Sequence, residues 1–390
     1  MQTGEPSEAV DQAQFGAVSE RVIDGMLLAA PDKFRGTASA EQVSGAIARG
    51  ASPFGWSVRQ LPLADGGEGL LDALGALGGT RETLVVEGPL GDPVEAEWLR
   101  VGGVAVIEMA RASGLELAGG HDGNDPVLAS TRGTGALMVA AARALSDRAR
   151  AAGSATPSSG GTVSRDPEGR ATIVVGLGGS ATTDGGAGAV DVIEEAGGLE
   201  GVELVGACDV DVRFIEAARR FGPQKGAEPA QLPILEARLE QVAAWYERHY
   251  GVDVRAVTGA GAAGGFGGAL VALGGRLRSG YEVVTELLGF PDLLASSQLV
   301  VTGEGSFDST SLMGKVVGSV LRDASALGVP VVVIAGQVSP EAAEAAERSG
   351  ARVVSLSDRF GVERSMSDTV GCIELAVAEV VGWVASTGHP

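Results

Sequence analysis

One strand–loop–helix unit in the middle of the chain limits the fold more than any other segment. The β-branched run 172–175 leads into the loop 176–186, which holds glycines, hydroxyl residues and a single acid, Asp184. Glycines let backbone N–H groups come close to an anion, and a helix that begins just after the loop adds its positive end. The unit therefore predicts an α/β fold with a phosphate cradle, in which Asp184 is a candidate general base.

Composition indicates a globular chain with glycine-rich loops. Sixty-one of the 390 residues are glycine, about twice the usual share, and they cluster between apolar runs. A chain of this length is expected to form two domains.

Charge and cysteine content argue against several classes of protein. The formal net charge of −21 opposes binding to nucleic acid or to an anionic membrane. Cys208 and Cys372 are too few and too far apart for a disulfide scaffold, which fits a reduced compartment. With three histidines, a histidine-based zinc site is a poor prediction. The sequence shows no membrane-length apolar stretch and no basic N-terminal region, so we expect a cytoplasmic protein.

Strand and helix candidates alternate at both ends of the chain. Near the start, strands at 26–30 and 58–63 flank a helix that Ser39 and Gln42 open as a capping box. Near the end, apolar strands at 299–302 and 331–335 are separated by a helix near 314–327. This alternation predicts a parallel sheet.

The middle of the chain differs, because strand candidates at 83–87, 94–100 and 104–109 follow one another closely and indicate a mixed sheet. We therefore predict an α/β fold in which both chain ends build a parallel-sheet, Rossmann-like domain and a second, mixed α/β domain is inserted into it.

The predicted boundaries are 23–80 and 285–390 for the first domain and 81–284 for the inserted one. The polar stretch 1–22 is predicted as a disordered N-terminal extension, and the Ser-, Gly- and Pro-rich stretch 151–170 as a mobile loop.

Two glycine patterns match the fingerprint of dinucleotide-binding loops. They are Gly176-x-Gly178-x-x-Ala181 and Gly259-x-Gly261-x-x-Gly264. Each is weak alone, and neither has a clear acid ending the next strand. Close helix–sheet packing is the alternative, above all for the second pattern. Because the first loop also carries hydroxyls and an acid, phosphate chemistry is favoured and a nicotinamide-dependent oxidoreductase is the second hypothesis.

Charged residues follow other strand candidates, where α/β sheets place ligands. Asp65 follows the second strand, while Glu304 and Asp308 follow the strand 299–302. Mg²⁺ prefers one or two carboxylates with phosphates and water, so Glu304 and Asp308 are candidate metal ligands. Four cations are candidates for binding an anion. Lys33 and Arg35 follow the first strand, Lys225 lies on the tight turn 221–227, and Lys315 follows Gly314.

Taken together, these loops resemble those of the type I bacterial glycerate kinases. Seven collinear motifs carry the resemblance across about residues 25 to 385. They are Ala30-Pro-Asp-Lys-Phe-Arg-Gly36, Leu63-Ala-Asp-Gly-Gly-Glu-Gly69, Ile107-Glu-Met-Ala110 with Ser113-Gly-Leu115, Gly178-Gly-Ser-Ala-Thr-Thr-Asp-Gly-Gly186, Phe221-Gly-Pro-Gln-Lys-Gly-Ala227, Gly259-Ala-Gly-Ala-Ala-Gly-Gly265, and Thr302-Gly-Glu-Gly-Ser-Phe-Asp308 with Gly314-Lys315.

The resemblance implies ATP-dependent phosphorylation of D-glycerate in a cleft between two domains, with ATP and Mg²⁺ as cofactors and 2-phosphoglycerate favoured as product. It implies Asp184 as the leading base and Asp65 as the second, with Glu304 and Asp308 holding Mg²⁺ directly or through water. The residues implied to contact glycerate or phosphate are Lys33, Arg35, Gly178, Gly179, Ser180, Lys225, Gly259, Gly261, Gly264 and Lys315.

The chain departs from the family pattern at three positions. Arg35 stands where lysine is frequent, Arg132 where an aromatic residue is frequent, and Thr310 where glutamine is common. These departures bear on ligand contacts more than on the reaction. The sequence leaves open which hydroxyl is phosphorylated, which loop binds the nucleotide and whether the chain forms a homo-oligomer. A nucleotide- or acid-binding regulator without turnover is the third hypothesis.

Overall fold

A computed structural model describes residues 25–64, 69–75, 77–152 and 171–387 of the protein. The predicted N-terminal extension at 1–22 lies outside these residues, as does all but the first two residues of the predicted loop at 151–170. Asp65 and the three residues after it also lie outside them.

The strands form two sheets that divide the chain between its ends and its middle. The five-stranded sheet has the order β11-β10-β9-β1-β2 and is parallel throughout. Its strands come from both ends of the chain: β1 (Met26–Ala29), β2 (Ser57–Gln60), β9 (Leu299–Phe307), β10 (Val331–Val338) and β11 (Arg352–Ser355).

The six-stranded sheet comes from the middle of the chain and is mixed. Its order is β3-β4-β5-β6-β7-β8, with antiparallel pairing from β3 to β5 and parallel pairing from β5 to β8. The strands are β3 (Thr80–Glu87), β4 (Pro93–Val101), β5 (Val104–Glu108), β6 (Ala171–Gly176), β7 (Val202–Ala207) and β8 (Arg276–Arg278).

The described helices are α1 (Ala40–Ala51), α2 (Leu70–Gly75), α3 (Ala110–Ser113), α4 (Gly120–Gly123), α5 (Arg132–Ala152), α6 (Ala187–Glu195), α7 (Ala217–Phe221), α8 (Leu232–Tyr250), α9 (Phe266–Ala272), α10 (Gly280–Leu287), α11 (Phe290–Ala295), α12 (Val316–Leu327), α13 (Pro340–Arg348), α14 (Leu356–Phe360), α15 (Val362–Ser367) and α16 (Thr369–Thr387).

Local sequence signals explain where several helices begin and end. In α1, the Ser39 hydroxyl accepts from the Gln42 amide while the Gln42 side chain accepts from the Ser39 amide, which completes the predicted capping box. Helix α12 ends at Gly328, whose φ of 66° is left-handed and suits glycine.

Three layers of apolar side chains hold the two sheets and their helices together. One lies between the five-stranded sheet and helices α1 and α16. Another packs α5, α6, α8 and α9 on the outer face of the six-stranded sheet. The third is shared: Leu28 and Val300 of one sheet belong to the same cluster as Val106 and Val174 of the other, together with side chains of α2 and α10–α13. The sheets are therefore joined by a continuous core.

The predicted fold class is confirmed: the chain ends build a parallel α/β sheet, and the middle of the chain builds a mixed one. The residue boundaries of the two domains stay a prediction. Among the described residues, no helix has the length and apolar character needed to span a bilayer.

Candidate active site

Two adjoining clefts lie at the carboxyl ends of the two sheets. The glycine-loop cleft, of about 480 Å³, lies beyond β6 and β7 and contains Gly178, Gly179 and Ser180. The carboxylate cleft, of about 450 Å³, lies beyond β1 and β9 and contains Glu304. Lys315 lines both clefts, so they meet at this residue.

Every lysine of the chain lies in these clefts. The sequence has 29 basic residues, of which only Lys33, Lys225 and Lys315 are lysines. Lys225 lines the glycine-loop cleft, Lys33 the carboxylate cleft, and Lys315 both. In an acidic protein this concentration of ammonium groups indicates an anionic ligand. The lysine count was available in the sequence, although motif reasoning selected the three residues one by one.

The glycine loop is fixed by a neighbouring segment of backbone. The Leu115 amide donates to the carbonyl of Gly179 at 2.8 Å, and the Ala181 amide donates to the carbonyl of Ser113 at 2.9 Å. Gly179 has a φ of 70°, a left-handed conformation that favours glycine. The loop therefore reaches the cleft in a set conformation, in which Gly178, Gly179 and Ser180 line it.

Lys225 is buried beneath this loop. Its Nζ donates to Ser180 Oγ at 2.8 Å and to the carbonyl of Thr182 at 2.7 Å. Burial lowers the pKa of Lys225 from 10.5 to about 7, although attraction to Asp184 opposes the shift. An anionic ligand in the cleft would favour the charged ammonium.

Asn124 supports Lys225 and was not selected from the sequence. Its side-chain Nδ2 donates to the carbonyls of Lys225 and Ala181, at 2.8 and 3.0 Å. Asn124 lies in a polar stretch that no chemical motif distinguishes, so sequence reasoning had no signal for it.

Asp184 is held by backbone and hydroxyl donors within the protein. Its Oδ2 accepts from the Thr131 amide at 2.9 Å, from Thr131 Oγ1 at 2.7 Å and from the Gly188 amide at 3.3 Å. Its Oδ1 accepts from the Gly186 amide at 3.0 Å. Asp184 is only 7% exposed. These bonds tie the glycine loop to the start of α5 and α6.

The second glycine cluster packs behind the first. A Cβ at Gly264 would lie 1.9 Å from the carbonyl oxygen of Thr182, and one at Gly261 would lie 2.3 Å from that of Arg213. These glycines allow close approach of backbone to backbone, which is the packing alternative stated for this pattern. Gly259 instead lines a side cleft of about 400 Å³.

The side cleft continues from the glycine-loop cleft through three shared residues, one of which is Asp209. Asp209 follows β7, and its Oδ1 accepts from the Gly280 amide at 3.1 Å, at the start of α10. Sequence reasoning interprets Asp209 and Asp211 as a turn at a strand end rather than as a site, although a position directly after a parallel strand is where α/β sheets place ligands.

The carboxylate cleft carries both cations and acids. Lys33 and Arg35 lie on the tight turn after β1, which is closed by pairing of Phe34 with Ala38. Glu304 lies within β9, because this strand continues to Phe307, beyond the predicted end at 302. Strand β9 therefore places the buried carboxylate of Glu304 in the same cleft as the half-buried Lys33 and the exposed Arg35.

Glu304 and Asp308 differ in their surroundings. Glu304 is 8% exposed, and its Oε1 is buried with no hydrogen-bond partner among the described residues. Burial raises the pKa of Glu304 from 4.5 to about 7, while the Ser311 hydroxyl opposes the shift. Asp308 Oδ1 accepts from Thr310 Oγ1 and from the Thr310 amide, and these bonds lower the pKa of Asp308.

The donor set fits a magnesium ion that takes most of its ligands from phosphates and water. Among the residues that the structure describes, no group of three or more His, Cys, Asp and Glu side chains could hold a metal. Mg²⁺ needs only one or two carboxylates in a nucleotide site. The orphaned Oε1 of Glu304 is an oxygen of the required type.

Asp65, the second base candidate, lies outside the described residues. Where the described chain resumes at Gly69, the buried residue Glu108 accepts through its Oε1 from the amides of Gly69 and Leu71 at 2.9 and 3.0 Å. Arg111 Nε donates to the other carboxylate oxygen of Glu108 at 3.0 Å.

A glycine loop and lysines around a cleft at the carboxyl ends of parallel strands are typical of α/β enzymes that act on phosphorylated ligands. The sequence profile of the glycerate kinase family matches residues 27–194 and 190–385. The chain therefore belongs to the glycerate kinase family. The predicted family and the predicted activity, phosphorylation of glycerate, are confirmed. The hypothesis of a nicotinamide-dependent oxidoreductase is therefore rejected.

Relatives agree with this assignment over most of their length. Glycerate 2-kinase of Escherichia coli is 36% identical over 352 residues, which cover 81% of this chain and 86% of the relative. Glycerate kinase of Halalkalibacterium halodurans is 35% identical over 402 residues, covering 93% and 99%. A crystal structure from Salmonella typhimurium LT2, assigned as glycerate kinase 2, matches with a TM-score of 0.73 and 30% identity, covering 93% and 99%.

Proposed function

We propose that the chain transfers the γ-phosphoryl group of ATP to the 2-hydroxyl of D-glycerate. The hydroxyl oxygen forms the new bond to phosphorus, the bond to the β–γ bridging oxygen breaks, ADP leaves, and the hydroxyl proton passes to a carboxylate. The position of Lys315 where two anion-binding clefts meet carries the proposal. Phosphoryl transfer depends mostly on positioning and on charge neutralisation, which these clefts can supply.

The glycine-loop cleft is the proposed nucleotide site. Its apolar residues, such as Leu177 and Phe221, suit a purine, and its loop amides and Lys225 suit phosphates. The adjoining side cleft extends the space available to a ligand as long as ATP, and Asp209 lies where a ribose hydroxyl could be bound.

The carboxylate cleft is the proposed glycerate site. Lys33 and Arg35 are the cations there that can pair with the carboxylate of glycerate. Glu304 and Asp308 are proposed to hold Mg²⁺, directly or through water. When bound, the ion neutralises charge on the phosphates. Lys315 would stabilise the phosphoryl group as it passes between the clefts.

The identity of the proton acceptor stays a prediction. Asp184 is the leading candidate from the sequence, although it lines neither of the two clefts. Its bonds, above all those from Thr131, support a second role in fixing the glycine loop. A base contributes about 10²- to 10⁴-fold to the rate, so the loss in an Asp184→Asn variant separates the two roles.

A ³¹P spectrum of the product formed from D-glycerate and ATP tests the activity and its position together. We expect ADP and a phosphate resonance coupled to the single proton on C2. A resonance coupled to the two protons on C3 would give 3-phosphoglycerate instead, and no ADP above a control without glycerate would refute the proposal. A cytoplasmic location, a homo-oligomer and a lack of nucleic-acid and membrane partners stay predictions.

A further inference from the structure

Among the described residues, Lys315 is the single side chain common to the two clefts, and it lies at the start of a helix. It occupies the N-cap position of the twelve-residue helix α12, with a φ of −73° and a ψ of 172°. The N-terminus of a helix carries partial positive charge, so an ammonium group there is disfavoured unless an anion is near. A hydrogen-bond acceptor that holds the exposed Lys315 ammonium in place would therefore matter before the substrates bind.

The structure supplies that holding group through Thr310. Lys315 Nζ donates to Thr310 Oγ1 at 3.1 Å, and Thr310 Oγ1 donates to Asp308 Oδ1 at 2.6 Å. Because the hydroxyl proton points to Asp308, the oxygen lone pairs are left to accept from the ammonium. These two bonds form a relay, which is a chain of hydrogen bonds from Lys315 through Thr310 to Asp308.

The far end of the relay is fixed. Asp308 Oδ1 also accepts from the backbone amides of Thr310 and Ser311, at 2.8 and 3.3 Å. A carboxylate that takes several bonds from its own turn has little freedom to move. The Thr310 hydroxyl is therefore presented at a set place between the carboxylate and the ammonium.

We propose that Thr310 is a positioning residue that holds the Lys315 ammonium where the two clefts meet, so that it is in place for the phosphoryl group during transfer. The inference rests on the proposed function. It predicts that loss of the Thr310 hydroxyl affects the rate of transfer mainly through Lys315, because Asp308 Oδ1 keeps its bonds from the backbone amides of Thr310 and Ser311.

A double-mutant cycle in the full-length protein tests this. Thr310→Val removes the hydroxyl at similar volume, and we expect kcat to fall about tenfold while KM for D-glycerate stays within about twofold. Thr310→Ser keeps the hydroxyl and should restore most of the rate. In a Lys315→Met background, Thr310→Val should cause no further loss. Ser309→Ala, at the exposed neighbouring residue, is the matched control.

A loss from Thr310→Val that is as large in the Lys315→Met background as in the wild type would overturn the proposal. So would a Thr310→Ser variant as slow as Thr310→Val, or a KM change for both substrates with no change in kcat. Absence of turnover in the wild type would instead refute the proposed function.

Amine labelling read by mass spectrometry tests the relay without substrate. With three lysines in the chain, Lys315 is readily followed against Lys33 as internal standard. We expect Thr310→Val to label Lys315 at least about twofold faster than the wild type, because the ammonium loses an acceptor. Equal labelling rates would refute the relay whether or not glycerate is phosphorylated.

Discussion

The side-chain Nζ of Lys225 lies 2.8 Å from Ser180 Oγ, beneath the glycine loop that lines the candidate nucleotide cleft. This buried pair joins the 221–227 turn to the 178–186 loop, two segments that the sequence presents as separate motifs. Its electrostatics lead to the first prediction.

Nucleotide binding should be coupled to proton uptake by Lys225. At pH 8 a lysine with a pKa of about 7 is mostly neutral, and phosphate oxygens beside it favour the charged form. Calorimetry in buffers of different ionisation enthalpy should show uptake of up to about one proton per ATP bound. A Lys225→Met variant should lose this uptake, and identical values for variant and wild type would contradict the assignment.

The same lysine should make stability depend on pH. Its pKa is lower in the folded protein than the 10.5 of the free side chain, so the unfolded chain binds more protons between pH 7 and 10.5. The free energy of unfolding therefore rises with pH across this window and falls again as the pH is lowered through it. We expect the Tm of the wild type to rise relative to Lys225→Met between pH 7 and 9, measured by scanning calorimetry.

Glu304 should show the opposite dependence. Its pKa is raised from 4.5 to about 7, so the folded protein binds more protons in this window and stability falls as the pH rises through it. Glu304→Gln lacks this titration and should gain about 1–3 kcal/mol relative to the wild type between pH 5 and 8. Mg²⁺ with ATP should offset the difference in the wild type alone. A flat difference across this pH range would show that the carboxyl does not titrate as described.

Asp184→Asn should lower both stability and rate. An amide group cannot accept all the bonds from Thr131, Gly186 and Gly188, and unmet buried donors cost about 1–3 kcal/mol each. A fall in kcat of two orders of magnitude or less, with a lowered Tm, would indicate loop positioning, whereas a larger fall would indicate the base. Thr131→Val is the comparison variant, because it removes one bond to the carboxylate and leaves its charge intact.

Gly264→Ala should prevent close packing of the two glycine clusters. Its Cβ would meet the Thr182 carbonyl oxygen at 1.9 Å, on a residue with a φ of +67°. Gly251→Ala is the matched control, because Gly251 has a φ of +71° with nothing within 4 Å. We expect about 1 kcal/mol of destabilisation for the control and more than about 3 kcal/mol for Gly264→Ala, from denaturant unfolding. Similar values would show that the packing is not tight there.

The sequence predicts the fold well where local signals are strong. Apolar β-branched runs such as 331–335 form buried strands, and the Ser39 capping box opens α1 as expected. It does less well where tertiary contacts decide. Strand β8 (Arg276–Arg278) has three residues and no apolar run, and it exists because β7 offers a parallel partner. Helices α10 and α11 were not predicted, because their short apolar patterns resemble strands as much as helices.

The candidate site shows the same difference between what local sequence signals predict and what tertiary contacts decide. Motif reasoning selected Lys33 and Glu304 because charged residues after strands are informative, and Lys225 and Lys315 because they lie on or just after glycine turns. It could not show that Gly261 and Gly264 contact backbone, since the same glycine pattern serves packing and ligand binding. Nor could it show that Asn124 supports Lys225 from 101 residues away in sequence.

The apolar layer shared by the two sheets has a consequence for inhibitor design. Because helices α10–α13 and strands of both sheets belong to one core, turning one sheet against the other would require repacking of that core. The distance between the two proposed substrate positions is thus set by solid packing. A bisubstrate compound should then tolerate few linker lengths, and a stiff linker should outperform a flexible one.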